Sequence, residues 1–213
     1  MEALQKLFSN EVQDLYDAEQ QILKALPKMI QGATSSELQE ALQDHLSVTE
    51  KQVTRLEQIL SDLGEKSGKK CKGMAGIIAE GDEMLKEDLE DSTMDAGIIG
   101  AAQKVEHYEI ASYGTARTLA QYLGNSRAVQ LLEQTLEEEK EADELLTQIA
   151  ESSINSEAAS EEDESEEGEE SGARSGNGRS RSRSNTAAKS SSTSKSKGRN
   201  QRSRRRTRAK ASR

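Results

Sequence analysis

The chain has 213 residues, 32% hydrophobic and 32% charged, with one Pro, one Cys and no Trp. Its formal charge of −10 averages three unlike regions: residues 1–156 carry 14 Lys and Arg against 30 Asp and Glu, residues 157–170 nine acids and no base, and residues 171–213 fifteen bases and no acid. A lone Cys71 excludes a disulfide framework and cysteine-rich zinc sites. No stretch approaches the roughly 18–20 apolar residues of a membrane span, and the acidic, helix-periodic N-terminus does not read as a signal peptide. These exclusions leave the cytoplasm as the expected compartment and, with so few aromatic and β-branched clusters, an all-α chain as the expected class.

In the first segment Leu4, Leu7, Leu15, Ala18, Ile22, Ala25, Leu26 and Met29 recur at helical spacing, which predicts a helix over about 2–31 stopped at Gly32. Ser36 with Gln39 forms a capping box for a second helix through Leu38, Leu42, Leu46, Val53, Leu56, Ile59 and Leu63, closed by Gly64. Residues 65–72 are a polar loop, and about 74–90 form a shorter helix. Ser92 is the expected cap of a third long helix, running through Ile98, Ala102, Val105, Ala116, Leu119 and Leu123. Asn125 caps a fourth, with Val129, Leu132, Leu136, Leu145, Leu146 and Ile149 inside.

Four helices on the order of 40 Å long, joined in two short-looped antiparallel pairs by one long crossover with its own short helix, form the ferritin-like variant of the four-helix bundle. The alternative is an up-down bundle with a fifth helix. The predicted bundle occupies residues 1–156. Beyond it no Leu, Ile, Val, Met or aromatic residue occurs, so an acidic linker (157–170) and a basic Ser/Arg/Lys-rich tail (171–213) are expected to be disordered.

Polar residues interrupt all four stripes near the helix midpoints: Asp14 in the first, His45 and Gln52 in the second, Glu106 and Glu109 in the third, Glu139 and Asp143 in the fourth. Helices of similar length place their midpoints at one level, so these carboxylates would face each other across the core. Buried unpaired carboxylates cost several kcal/mol each. A pair of divalent cations with oxygen and imidazole ligands would neutralise them, which makes Asp14, His45, Glu106, Glu109, Glu139 and Asp143 the expected metal ligands of a di-iron or di-manganese centre. Asp17, Glu19 and Glu138 stand second. An internal echo matches Asp14-Leu15-Tyr16-Asp17 with Glu106-His107-Tyr108-Glu109, and His107 falls beside the inward stripe.

The stretches DLYDAEQQILKALPKM, HLSVTEKQVTRLEQIL, AAQKVEHYEIASYGTARTLA and LLEQTLEEEKEADELL together resemble the bacterial ferritin-like family of the stress proteins YciE and YciF, over about residues 2–151. The resemblance implies a ferritin-like bundle, a homodimer and a candidate di-metal centre, without a defined reaction. Relatives commonly carry an acid where this chain has Val48, so the second helix is expected to offer fewer ligands. The resemblance stops short of the tail, where Arg202, Arg204, Arg205, Arg206 and Arg208 concentrate charge suited to neutralising nucleic-acid phosphates.

Three functions follow as expectations. The leading one is a stress-response protein whose di-metal centre consumes O2 or peroxide. A non-catalytic dimeric bundle held on nucleic acid by its basic tail comes second, and a metal-free structural bundle third.

Overall fold

A computed structural model describes residues 1–66 and 68–160. The basic tail, its arginines included, and the acidic linker beyond residue 160 lie outside the described residues. Among those described there is no strand. The elements are α1 (Glu2–Gly32), α2 (Ser36–Leu63), α3 (Lys72–Met84), α4 (Asp91–Tyr122) and α5 (Ser126–Ile149), followed by a π-helical turn, Ala150–Ile154.

Caps set most of these boundaries. Ser35, one residue before the expected cap, accepts from the Leu38 N–H at 3.4 Å, while Gln39 reaches back to the Ala33 carbonyl at 2.6 Å. The Asn125 side chain caps α5 through the Ala128 N–H. Helices α2 and α4 are followed by Gly64 and Gly124 at φ 69° and 71°, a left-handed conformation that glycine adopts without steric cost. Helix α3 stops at Met84, earlier than the periodicity suggested, and the chain turns at residues 85–87 before entering α4. Helical conformation also persists through residue 160, where the sequence suggested disorder from 157. Glu157, Ala158 and Ala159 are good helix formers, and the turn before them anchors Ile154 in the core.

Helix α1 packs on α2 and α4, and α5 packs on α2 and α4. The four long helices therefore form a ring in which α2 and α4 are diagonal. Contacts along each neighbouring pair run in opposite directions: Thr34 and Ser35 at the end of α1 meet Asp95 at the start of α4, while Phe8 shares a core with Ala116 and Ala120. The crossover must climb the bundle, and α3 does so in the groove between α1 and α4. Its lower end is tied by Lys70 to Asp17 at 2.9 Å and by the Cys71 N–H to the same carboxylate at 2.9 Å. Its upper end is tied by Lys28 to Asp82 at 2.8 Å. Two antiparallel hairpins, a diagonal crossover and a helix within it constitute the ferritin-like arrangement.

The apolar core is divided. One cluster gathers Ile22, Leu26, Met29, Leu38, Ile98 and Ile149. The other gathers Phe8, Val12, Leu56, Ile59, Tyr113 and Leu132. Leu7 and Leu145, expected inside, are 45% and 43% exposed. What separates the two clusters is a layer of polar side chains.

Candidate metal centre

Each long helix sends a buried polar residue into that layer: Glu19 from α1, Gln52 from α2, Glu106 and Glu109 from α4, and Glu139 from α5, all 3% exposed or less. His45 of α2 joins them with a side chain 10% exposed. Its Nε2 lies 3.4 Å from Glu106 Oε1 and 3.9 Å from Glu139 Oε2. Taking one ligand atom from each of His45, Glu106, Glu109 and Glu139, all four fall within 4.8 Å of one another.

Hydrogen bonding leaves this layer incomplete. Glu19 Oε2, His45 Nε2, Glu106 Oε2, Glu139 Oε2 and both oxygens of Glu109 are buried without a hydrogen-bond partner. Buried polar atoms are rarely orphaned, and here every orphan among these five residues is of a type that ligates a cation. Burial first, and then the neighbouring carboxylates, raise all four glutamates above the ordinary range, Glu106 to about 7 and Glu19 to about 8. For Glu109 and Glu139 the same two causes act in the same direction. Without a cation, the charge of these buried carboxylates would have to be removed by protonation. The donor set, one imidazole and several carboxylates, fits a divalent first-row metal such as iron or manganese.

The six ligands expected from sequence are thus separated by the structure. His45, Glu106, Glu109 and Glu139 are brought together. Asp14 is placed elsewhere: it accepts from Tyr108 Oη at 2.9 Å and pairs with Lys69 at 3.1 Å on the crossover side of α1. The reason is angular, since Asp14 and Glu19 lie about 140° apart around a helix that turns roughly 100° per residue. Asp143 is also outside the cluster. It faces Gln103 at 3.1 Å and the exposed His107 at 3.3 Å, a turn beyond Glu139. Asp17 anchors the crossover, and Glu138 forms a two-bond ion pair with Arg55. Glu19, ranked second from sequence, is the first helix's contribution, and its signal was the position one residue after Ala18 on the buried stripe. Gln52 and Tyr113 complete the surroundings, Tyr113 Oη donating to Glu19 and Gln52 Nε2 to Glu139.

Comparison with known proteins places the chain in a family. Residues 3–159 match the family model described as Domain of unknown function (DUF892). The chain belongs to this DUF892 family. Protein YciF of Escherichia coli is 40% identical over 160 residues, 74% of this chain and 96% of the relative. The crystal structure of that stress protein superposes with a TM-score of 0.69 over 73% of this chain and 99% of the other. YcfI of Rhodopseudomonas palustris is 45% identical, with a TM-score of 0.66 over 68% and 92% of the two chains. A two-domain protein from Anabaena variabilis with DJ-1/ThiJ/PfpI-like and ferritin-like domains matches at 15% identity and a TM-score of 0.50, over 71% of this chain and 38% of that one. That last likeness concerns the fold alone. This DUF892 chain is therefore a YciF homologue with a ferritin-like fold, and among its described residues no helix is long and apolar enough to cross a membrane.

Proposed function

We propose that the layer is a divalent-metal centre and that the protein serves, like the stress protein it is similar to, in a stress response. The observation that carries this reading is the set of orphaned buried acceptors on His45, Glu106, Glu109 and Glu139. Iron or manganese bound there would supply redox and Lewis-acid chemistry toward O2 or peroxide. The protein's own part is to hold the ion among carboxylates whose charge it needs and to keep bulk water and large reactants away. Two small cavities reach the layer, both touching His45 and Glu106. Ile22, Leu26, Met29 and Val105 line one, Leu42, Ala142 and Leu146 the other. Each has room for little more than a water-sized molecule, which suits a reactant as small as dioxygen or peroxide.

The test is elemental analysis after anaerobic loading with Fe(II) or Mn(II) and desalting. The wild type should retain metal, and the double variant Glu109→Ala with Glu139→Ala should lose it while keeping its helical circular dichroism. Equal metal in both proteins would refute the site.

A second reading rests on the fifteen bases without an acid in residues 171–213. Through counterion release such a segment binds nucleic acid with little sequence preference and steep salt dependence. In this reading the bundle is a homodimer that the tail holds on DNA or RNA. A mobility shift at low salt that disappears on deleting 171–213 supports it; no shift by the full chain at about 20 mM salt, where screening is weak, rejects it.

A further inference from the structure

The polar layer is asymmetric between its two ends. At the end facing His45, only acceptors converge: His45 Nε2, the Glu106 carboxylate and Glu139 Oε2, with both Glu109 oxygens nearby. The opposite end is closed by donors. Gln52 Nε2 bonds Glu139 Oε1 and lies 3.2 Å from Glu138 Oε2. Arg55, 9% exposed, bonds Glu138 through Nη1 and Nη2 and Thr135 Oγ1 at 3.0 Å. Tyr113 Oη gives its hydrogen to Glu19.

We infer that the layer is built for a single divalent cation at the His45 end, with Gln52, Arg55 and Tyr113 taking the place of a second cation at the other. This rests on reading the layer as a metal centre. The argument is one of charge and of lone pairs. A second ion would need anionic or imidazole ligands from α2, and at the level of Glu139 that helix offers an amide with its N–H2 turned toward the carboxylate. The neutral Gln52 carbonyl oxygen, itself unpartnered, is a weak substitute. The guanidinium of Arg55 cannot lose its proton and is held by two bonds to Glu138, so it stands as a fixed donor at this end and keeps the Glu138 carboxylate from serving a second ion. Glu19 in turn has one oxygen committed to the Tyr113 hydroxyl. One end therefore has acceptors without donors, and the other has its acceptors already committed to donors.

The experiment is Mn(II) titration of the full-length protein, read by elemental analysis after desalting and by electron paramagnetic resonance. The expected result is a single tightly held Mn(II) per chain with the six-line spectrum of an isolated ion. Replacing the amide by a carboxylate, Gln52→Glu, should raise the stoichiometry to two and broaden the spectrum by exchange between bridged ions. Two equally tight ions with a coupled spectrum in the wild type would overturn the inference and leave the metal centre standing. So would a Gln52→Glu protein that is folded by circular dichroism yet stays at one. No bound Mn(II) in the wild type would refute the metal centre and this inference with it. The wild-type stoichiometry decides the matter even if the variant fails to fold.

Discussion

Asp14 and Glu19 are five residues apart in one helix and do unrelated work. Asp14 has the Cys71 thiol, the Tyr108 hydroxyl and Lys69, which together outweigh its burial and hold its carboxyl below the usual range. Glu19 is fully buried beside Glu139, which raises it to about 8. The sequence told acidic residues near the helix middle from the apolar stripe, but it could not choose between Asp14 and Glu19. The choice depends on the crossover, whose Lys69 claims one side of α1, and hydrophobic spacing says nothing about a loop. The alignment of Asp14 with Glu106 went astray for the same reason. On α4 and α5 the spacing picked out Glu106, Glu109 and Glu139, together with Asp143, which the structure turns to Gln103 and His107 instead.

These directions fix a pH dependence for the metal-free protein. A carboxyl raised in the folded state contributes stability that is fully present below its ordinary value of about 4.5 and is lost as pH rises through the folded one. For Glu106 and Glu19 that loss runs from about pH 4.5 up to about 7 and about 8 respectively. Asp14, lowered by hydrogen bonds from Cys71 and Tyr108 and by Lys69, and Asp17 and Glu138, lowered by Lys70 and Arg55, act oppositely: their contribution is lost as pH falls below the ordinary range. Protein stripped with chelator should therefore melt highest in mildly acidic buffer and lower steadily toward pH 8. Mn(II), which binds the ionised carboxylates, should raise the melting temperature more at pH 8 than at pH 5.5. A chelated protein more stable at pH 8 than at pH 6 would contradict the burial of these groups.

At the scale of elements, the crossover is held by contacts that periodicity does not encode. The Cys71 N–H and Lys70 meet Asp17, Cys71 Sγ lies 3.0 Å from Tyr108 Oη, and Cys71 also caps α3 through the Met74 N–H. A β-carbon on Gly73 would stand 2.7 Å from Tyr108 Cε2. That ring has little freedom to withdraw, because its hydroxyl is tied to Asp14 and Cys71. Gly73→Ala should cost about 1–3 kcal/mol by overpacking, seen as a lower denaturation midpoint at unchanged slope. A melting curve identical to the wild type would show that α3 is not seated against α4 as described. The long helices and their order were readable from the 3.6-residue period, with caps displaced by a residue or so. The docking of α3 was not, since beside the apolar contacts of Met74, Ile77 and Ile78 it is fixed by a glycine, a thiol and main-chain groups.

At the scale of the molecule, the bundle is two apolar cores separated by a layer that is costly unless something neutralises it. Breaking a buried charged set differs from replacing it by apolar groups of similar volume, which is often neutral or stabilising. Glu109→Leu should thus raise the melting temperature of the chelated protein at pH 8 while abolishing the further rise that Mn(II) gives the wild type. A loss of stability in the chelated variant would mean that Glu109 already has its partners without metal. The ferritin-like topology was legible from the two short loops and one long connection. Gln52 was visible as an interruption of its own stripe, but the place of Glu19 in the layer depends on the relative rotation of four helices, and no single helix carries that information.

The most direct measurement is an anomalous difference map from crystals of the protein grown or soaked with Mn(II). The account predicts a peak inside the bundle, contacted by His45 Nε2 and by carboxylate oxygens of Glu106, Glu109 and Glu139, the four residues whose ligand atoms converge within 4.8 Å. Carboxyl pairs hydrogen-bonded to each other across an unbroken layer, with Mn(II) found only at the surface, would contradict it.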